Sequence, residues 1–585
     1  MSKSHICLGI TKRRRHADKS SLLLRRVTLT HLPISQLMTF PRLAATLTLL
    51  LAGTALAADE SKPVKVFLFA GQSNMVGSDA HSERIDDYPM FKGAGVPQDD
   101  VLFARLPEID QSAPAAWGPL QPMDAFGPEI SFARMVKAHD DSPIAIIKSA
   151  IGGTTAAFDW NPDAPEKGQK LYPRTIRLVQ ESLKELDKRG LRYQLEGVMW
   201  HQGENDMLDP KLNTNYAAAL TRIITQLRKD LNAPELKWYM GEVSEKGIWG
   251  MDNRHNLAIL RQQQDEVLKA DPLLRWVPTS HLAFEVMGSG QPHYHFGTQG
   301  QLQMGEAFAA AYLNAIGKPR PGKDSSFKVG LPLAKKSPVR LFILAGQRNM
   351  EGEDSFVSEI PQQLGFESLA NPQNEILYRY SLGGGFKVSQ SWQPLGPVDY
   401  LGNFGPELSF GKTLRESPVS KEGIAIVKFT HSGAQGPDWR PEGSPESRRN
   451  LYPKLIAFIR QAVDDLAKQG HDCTIDGIFW HTGENDTYFG SYAQNNAVWM
   501  KELITQARLD LKSPALPFFI SEEHPNAIWK NMEAVNKALT TVAKSEQNIF
   551  IIPTASLPHA RLHFGTKGTL LLGEAFARAY LKSKE

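Results

Sequence analysis

Two stretches of the chain have closely related sequences, and they differ at a residue that could act as a nucleophile. Residues 64–77 read VKVFLFAGQSNMVG and residues 339–352 read VRLFILAGQRNMEG, so Arg348 stands where the first stretch has Ser73. A serine in this setting can attack a carbonyl carbon, or it can cap the helix that follows. Because an arginine takes its place in the second stretch, this serine is not needed for packing alone. The contrast favours a reactive Ser73.

A serine nucleophile needs a base within hydrogen-bond reach, and His295 is the candidate. Histidine suits this role because its unperturbed pKa of about 6.5 lies near the working pH. His295 recurs in the second stretch of the chain as His563, whereas its neighbour His293 aligns with Arg561. The survival of His563 beside Arg348 leaves a second interpretation open, in which this histidine only caps the final helix.

An acyl-transfer site also needs hydrogen-bond donors for the oxyanion that forms during attack. The candidate donors are the backbone N–H groups of Ser73 and Gly152 and the side-chain amide of Gln202 or Asn205. In the second half of the chain, Gly152 becomes Ser432 and Gln202 becomes Thr482. The nucleophile and two donor candidates have therefore changed together, which predicts a degenerate second site.

Five blocks repeat in the same order at a nearly constant spacing, so the chain is a tandem duplication. Apolar runs alternate with amphipathic stretches in each copy, as in Val64–Ala70, Ile144–Lys148 and Thr175–Lys188. Such alternation predicts an α/β fold, a three-layer sandwich around a parallel sheet. We expect a catalytic domain at 58–316, a Pro-, Gly- and Lys-rich linker at 317–338 and a degenerate domain at 339–585. The carboxyl ends of the strands should bring the candidate residues to one edge.

The amino-terminal region of the 585-residue chain predicts export. An apolar run follows Arg42 and ends at Ala55-Leu56-Ala57, an A-x-A cleavage pattern, and Met38 could begin a complete signal peptide at 38–57. Residues 1–37 would then be a mispredicted extension. Without residues 1–57 the chain has 57 basic and 62 acidic residues, which excludes a general nucleic-acid-binding surface. We expect a secreted or periplasmic protein that has no membrane segment after cleavage.

The motifs G-Q-S-N-M-x-G, I-G-G-T, W-H-Q-G-E-N-D and H-F-G-T-x-G resemble the sialate O-acetylesterase domain and carbohydrate esterase family six, in the SGNH hydrolase superfamily. The resemblance covers about residues 64–315 and again about 339–582. It implies a flavodoxin-like fold and a serine hydrolase without metal or cofactor that removes acetyl groups from sugar hydroxyls. Ser73 takes the place of the nucleophile, His295 that of the base, and Gly152 with the Gln202/Asn205 block that of the oxyanion hole.

The acid that orients His295 is less clear from the motifs. Many SGNH hydrolases have an aspartate three residues before the histidine, and that position is Pro292 here. Glu204 is our choice because the related esterases use a glutamate in this block, with Asp206 as the alternative and Glu285 as a third candidate. Glu204 is retained as Glu484 in the second copy, so it could instead only brace the loop.

Two other classes of function compete with the esterase. A metal-dependent hydrolase would use His201, Glu204 and Asp206, with His293 and His295. A non-catalytic glycan-binding protein would explain the degenerate second copy, whose altered or retained site positions are Arg348, Ser432, Thr482, Glu484 and His563. The sequence leaves the partner open among acetylated xylan, sialic acid and other decorated polysaccharides.

Overall fold

The computed structural model describes residues 62–106, 117–164, 166–244, 247–248, 251–282, 295–318, 338–398, 402–445, 447–526, 530–559 and 563–585. The predicted extension at 1–37, the signal peptide at 38–57, most of the linker, Glu285, Pro292 and His293 lie outside these ranges. Over the ranges described, none of the helices combines the length and the apolar character that crossing a membrane requires.

The first repeat is built on a seven-stranded sheet. Its strands are β1 (Val64–Gly71), β2 (Gln98–Arg105), β3 (Gly118–Leu120), β4 (Ile144–Ala150), β5 (Tyr193–His201), β6 (Lys237–Gly241) and β9 (Leu274–Val277), and a small hairpin adds β7 (Gly247–Ile248) and β8 (Met251–Asp252). The order across the sheet is β3-β2-β4-β1-β5-β6-β9, and all neighbours are parallel except β2 and β3. The parallel sheet that the apolar runs predicted is confirmed.

Helices cover both faces of this sheet. They are α1 (Ser73–Val76), α2 (Glu129–His139), α3 (Leu171–Lys188), α4 (Glu204–Met207), α5 (Pro210–Thr214), α6 (Tyr216–Asp230), α7 (Arg254–Ala270) and α8 (Thr298–Ala315). Alternate residues of β1 enter different cores: Val66 and Leu68 pack with α3, α6 and α7, whereas Phe67 and Phe69 pack with α2 and α8. Because β1 is buried on both faces, its sequence is a nearly continuous apolar run.

The second repeat has the same architecture. Its strands are β10 (Val339–Gly346), β11 (Gln373–Leu382), β12 (Lys387–Val388), β13 (Gln393–Leu395), β14 (Gly423–Thr430), β15 (Cys473–His481), β16 (Phe518–Ser521) and β17 (Ile549–Ile552). Its helices are α9 (Arg348–Glu351), α10 (Glu407–Arg415), α11 (Leu451–Lys468), α12 (Gly490–Asp510), α13 (Met532–Ser545) and α14 (Thr566–Lys582). The strand order β11-β14-β10-β15-β16-β17 repeats that of the first sheet. Two tandem α/β domains are therefore present, as predicted.

The strand register brings the candidate site residues together. In the first repeat, Gly71 at the end of β1 pairs with Ala150 at the end of β4 and with His201 at the end of β5. The residues that follow these three strand ends therefore lie side by side at one edge of the sheet, where open α/β sheets bind their ligands.

Candidate active site

Ser73 lies at a tight turn between β1 and the short helix α1. The turn needs Gly71, which has a φ of +155° and leaves no room for a side chain, since a Cβ atom there would lie 2.1 Å from the carbonyl oxygen of His201. Ser73 is the first residue of α1 and Gln72 precedes it, so Ser73 does not cap the helix. Its exposed fraction is 8%, so the residue is nearly buried at the strand edge.

His295 contacts an aspartate that the sequence analysis missed. Its Nδ1 atom lies 2.8 Å from Oδ2 of Asp79. The same region forms a parallel bridge between Asp79 and Gly297, and the N–H of Phe296 donates to Oδ1 of Asn74 at 3.0 Å. These contacts hold the histidine beside the turn that carries Ser73. The helix-capping alternative for His295 does not hold, because Gly297 is the residue that precedes α8.

The expectation that Glu204 orients His295 is wrong, since Glu204 contacts other groups. Its Oε1 atom accepts a hydrogen bond from Nδ2 of Asn74 at 2.8 Å and lies 3.3 Å from Nδ1 of His201. Burial opposes ionisation of Glu204, but the His201 ring and the Asn74 amide together lower its pKa. Because Asn74 in turn binds the backbone of Phe296, Glu204 braces the loop that follows Ser73.

Asp206, the alternative acid, also has a different environment. Both of its carboxylate oxygens accept the N–H of Ala156 at 3.0 Å, and Oδ2 accepts Nε2 of Gln202 at 2.5 Å. Burial raises the pKa of Asp206 to about 6. These bonds tie the loop after β4 to the loop after β5, so Asp206 supports the shape of the site and does not touch His295.

Of the two side-chain amides proposed as oxyanion donors, only that of Asn205 is available. Nε2 of Gln202 is fully buried and already donates to the carbonyl of Thr154 at 3.0 Å, besides facing Asp206 and Gln72. Oδ1 of Asn205 accepts Nε2 of Gln72 at 3.0 Å, and among the described residues Nδ2 of Asn205 has no acceptor. The prediction of Gln202 as a donor fails because its amide protons are used inside the scaffold.

Gly152 lies against the candidate nucleophile. A Cβ atom at Gly152 would lie 3.4 Å from Cβ of Ser73, which is an ordinary contact distance, so Gly152 packs directly beside the serine. Within the described parts of the chain, the backbone N–H groups of Ser73 and Gly152 have no hydrogen-bond acceptor. Together with Nδ2 of Asn205, they are three donors at this edge of the sheet, and a developing oxyanion requires donors of this kind.

In the second repeat, a buried ion pair occupies the equivalent site. Arg348 is 3% exposed, and its Nη1 atom lies 3.2 Å from Oε1 of Glu353, which stands where the first repeat has Ser78. Nε of Arg348 donates to Oδ1 of Asn485 at 3.3 Å, so the amide that matches Asn205 is occupied by the guanidinium. A guanidinium held in this way leaves no nucleophile at this position.

The remaining degenerate positions also serve the scaffold. Oγ1 of Thr482 accepts Nε1 of Trp480 at 2.9 Å. Nδ1 of His563 lies 3.9 Å from Oε1 of Glu484, and burial, with the charge of Arg348, lowers its pKa to about 3. The carbonyl oxygen of Ser432 accepts a hydrogen bond from Nδ2 of Asn485 at 3.3 Å. These contacts replace the arrangement of donors and base found in the first repeat.

Among the described residues, the ligands proposed for a metal site do not converge near Ser73, and His293 lies outside those residues. His201 and Glu204 are in contact, but the oxygens of Asp206 face Ala156 and Gln202. Within the part of the chain that is described, the side chains near enough to share one ion are His481, Glu484 and Glu523, whose ligand atoms lie within 4.8 Å of one another. These residues belong to the second repeat, and the first repeat has Val243 where Glu523 stands.

Asp79 could have been found from the repeat itself. It recurs as Asp354, six positions after Arg348, just as Asp79 lies six positions after Ser73. An acidic residue at the same distance from the nucleophile position in both repeats suggests a role in the site. It does not indicate that its partner is His295, which lies more than two hundred residues away in the sequence.

Comparison with known proteins identifies the family of this chain. The family model described as carbohydrate esterase, sialic acid-specific acetylesterase matches residues 63–314 and 338–582. A probable carbohydrate esterase of Arabidopsis thaliana is 28% identical over 266 residues, which span 43% of this chain and 91% of that protein.

Two solved structures are also similar. A protein from Arabidopsis thaliana has 24% identity over 43% of this chain and 98% of its own, with a TM-score of 0.33. A carbohydrate acetylesterase from Xanthomonas citri has 19% identity over 43% of this chain and 56% of its own, also with a TM-score of 0.33. Because the family model accounts for both repeats and most of the chain, this protein belongs to the carbohydrate esterase family of sialic acid-specific acetylesterases.

Proposed function

We propose that the first repeat is a serine esterase that removes acetyl groups from carbohydrate hydroxyls, with Ser73, His295 and Asp79 as its catalytic triad. The observation that carries this proposal is the 2.8 Å contact between Nδ1 of His295 and Oδ2 of Asp79. It lies beside the turn that carries Ser73 and beside backbone N–H groups that have no acceptor among the described residues. Family membership supports an acetylated carbohydrate as the substrate, and acetylated xylan, sialic acid and other polysaccharides are its candidates.

The geometry supports an acyl-enzyme mechanism. When Nδ1–H of His295 donates to Asp79, Nε2 carries the lone pair and can take the proton of Ser73. The Ser73 oxygen then attacks the acetyl carbonyl carbon, and the N–H groups of Ser73 and Gly152 with Nδ2 of Asn205 bind the oxyanion. The sugar oxygen leaves with the proton from His295. A water molecule, deprotonated by the same histidine, hydrolyses the acetyl-serine and releases acetate.

The edge of the site is open enough for a sugar. Gly152 is exposed, and Phe158, in the loop that follows it, has 48% of its surface exposed. By contrast Trp160 is fully buried and packs edge-on against Trp200, so it belongs to the core. An exposed aromatic ring near the strand edge suits the apolar face of a sugar ring. The predicted signal peptide supports the proposal that this reaction occurs after export.

The proposal is tested by measuring acetate release from acetylated xylan, O-acetylated sialic acid and 4-nitrophenyl acetate. The full chain should hydrolyse at least one of these esters, and excess EDTA should leave the rate unchanged. A rate that EDTA abolishes and a divalent ion restores would instead favour the metal-dependent hydrolase.

Exchanging Gly152 for the residue of the second repeat should damage catalysis. In Gly152→Ser, the new Cβ would meet Cβ of Ser73 at an ordinary contact distance, but the side chain would fill space beside Ser73 that the acetyl group needs in order to reach the N–H donors, and the loss of one such donor costs about 100-fold in rate. We expect kcat/KM for 4-nitrophenyl acetate to fall by about that factor with an unchanged melting temperature. The matched exchange Ser432→Gly should leave the rate within about twofold of the wild type. An unaffected Gly152→Ser enzyme would remove Gly152 from the oxyanion site.

Restoring the serine in the second repeat should not create an esterase. In a Ser73→Ala background, Arg348→Ser should release no acetate, because His563 faces Glu484 and the donor positions remain altered. The change should also lower the melting temperature, since it leaves Glu353 buried without its partner, a loss of about 3–5 kcal/mol for a buried pair.

Adding Glu353→Ser, which restores the residue of the first repeat, should recover most of that stability without activity. Acetate release and thermal unfolding of the three variants decide this prediction. Hydrolysis by the Ser73→Ala, Arg348→Ser protein would contradict the view that the second repeat is a pseudoenzyme.

A further inference from the structure

We infer that the second repeat holds the catalytic histidine of the first repeat in position, by binding both ends of the chain segment that carries it. We call residues 280–282 and 295–299, the described ends of this stretch, the histidine segment. This inference rests on the proposed function, and it assigns the degenerate repeat a positioning role in the reaction.

The amino-terminal end of the histidine segment is bound by Arg449. Nη2 of Arg449 donates to the carbonyl oxygen of Ser280 at 3.0 Å, while Nη1 donates to the carbonyl of Gly433 within the second repeat at 2.7 Å. The ring of His281 lies over the ring of Phe386, with centroids 4.5 Å apart. Arg449 is buried, and its guanidinium links two backbone carbonyls across the boundary between the repeats.

The carboxyl-terminal end is bound four positions after the catalytic histidine. Nε2 of Gln299 donates to the backbone carbonyl of Glu353 at 2.8 Å, and Gln299 is buried. Beside it, Thr298 accepts the N–H of His81, and Asp79 pairs with Gly297. The second repeat therefore anchors the first turn of α8, to which His295 is joined.

The internal duplication supplies a control for this contact. At the equivalent positions of the second repeat, Ala555 replaces Ser280, Ser556 replaces His281 and Lys567 replaces Gln299, and all three are exposed. Conversely, Arg449 stands where the first repeat has the exposed Gln169. The histidine segment is therefore buried because it contacts the second repeat, and not because the fold itself buries these positions. The two repeats differ in sequence at the positions that form this contact.

The same contact covers the former active-site edge of the second repeat. A small cavity of about 30 Å³ lies there, lined by His281, Leu282 and Gln303 of the first repeat and by Glu353 and Ser432 of the second. Among the described residues, side chains of the first repeat therefore occupy part of the edge at which a substrate of the second repeat would bind. The surface of the second repeat that contacts the histidine segment instead supports His295, whose position must be held to about 0.5 Å for efficient proton transfer.

The test compares two neighbouring arginines in the full chain. Arg449→Met removes the hydrogen bond to the histidine segment, whereas Arg448→Met removes a contact to Asp265 and to the ring of Trp276, which lies 4.0 Å from the guanidinium. Both residues lie at the boundary between the repeats, but only Arg449 touches the histidine segment. We expect Arg449→Met to lower kcat about 10- to 100-fold with little change in KM, and Arg448→Met to change kcat less than twofold.

Two further readouts separate positioning from general destabilisation. The rate at which a fluorophosphonate labels Ser73 should fall by the same factor as kcat in Arg449→Met, and Arg449→Lys, which can keep one hydrogen bond, should recover part of both. If Arg449→Met does not fold, Gln299→Met decides the matter, since it removes the other anchor and keeps the size of the side chain. An active Ser73→Ala enzyme would refute the esterase mechanism itself. An inactive Ser73→Ala enzyme, with wild-type kcat in the folded anchor variants, would refute the positioning role alone.

Discussion

Replacing Ser73 with alanine should abolish acetate release from the full chain while leaving it folded. The hydroxyl is the only group beside the free N–H donors of Ser73 and Gly152 that we assign as a nucleophile, and the loss of one member of such a unit costs about 10⁴- to 10⁶-fold in kcat. His295→Ala should be nearly as severe, and the double variant should be little worse than either, because the two groups act together. Initial rates with 4-nitrophenyl acetate and thermal unfolding are the measurements.

A fluorophosphonate probe gives an independent readout of the same site. It should label Ser73 in the wild-type chain and no residue between 338 and 585, where Arg348 occupies the nucleophile position. Substantial turnover by the purified Ser73→Ala protein would overturn the serine mechanism. Labelling in the second repeat would overturn the assignment of that repeat as inactive.

Asp79→Asn should lower kcat by about 10²- to 10⁴-fold, which is the second largest effect we expect. Asparagine keeps the size of the side chain but removes the charge that stabilises the imidazolium, and its amide can favour the wrong tautomer of His295. Steady-state kinetics and a melting curve test this, since the variant should fold normally.

Glu204→Gln is the matched control for the acid. Glutamine can still accept the hydrogen bond from Asn74, so the brace around the loop is partly retained and kcat should fall by no more than about tenfold. If Glu204→Gln were the severe change and Asp79→Asn the mild one, the acid would have to be reassigned to the glutamate, as the sequence first indicated.

The fold was predictable because the sequences of its central strands are characteristic of buried parallel strands. β1 is apolar at nearly every position and is followed by Gly71, so both the strand and the turn that presents Ser73 could be read directly. The sequences of β2 and β3 do not predict strands in this way. β2 begins with Gln98 and two aspartates and is partly exposed, as expected near the edge of a sheet. The sequence between β1 and α2, which contains both strands, has no periodic hydrophobic pattern.

The site was predictable only where a residue's role is local. The carboxyl ends of parallel strands had to meet, which places Ser73, Gly152 and Asn205 together. The partner of His295 depends on a bridge between residues 79 and 297, a contact that no local pattern encodes. Likewise, the amide of Gln202 looked like a donor until its bonds to Thr154 and Asp206 were known.

The contact between the repeats also bears on whether the protein can polymerise. It is a head-to-tail contact between different surfaces, and contacts of that kind generate open filaments when every copy carries both complementary faces. Here each repeat carries only one of them. The second repeat has Ala555, Ser556 and Lys567 in place of the buried side chains that enter the contact, and the first has Gln169 where the receiving side has Arg449. The outer faces of the two repeats therefore lack the side chains that a further contact of this kind would use, and we expect the duplicated chain not to assemble end to end through it.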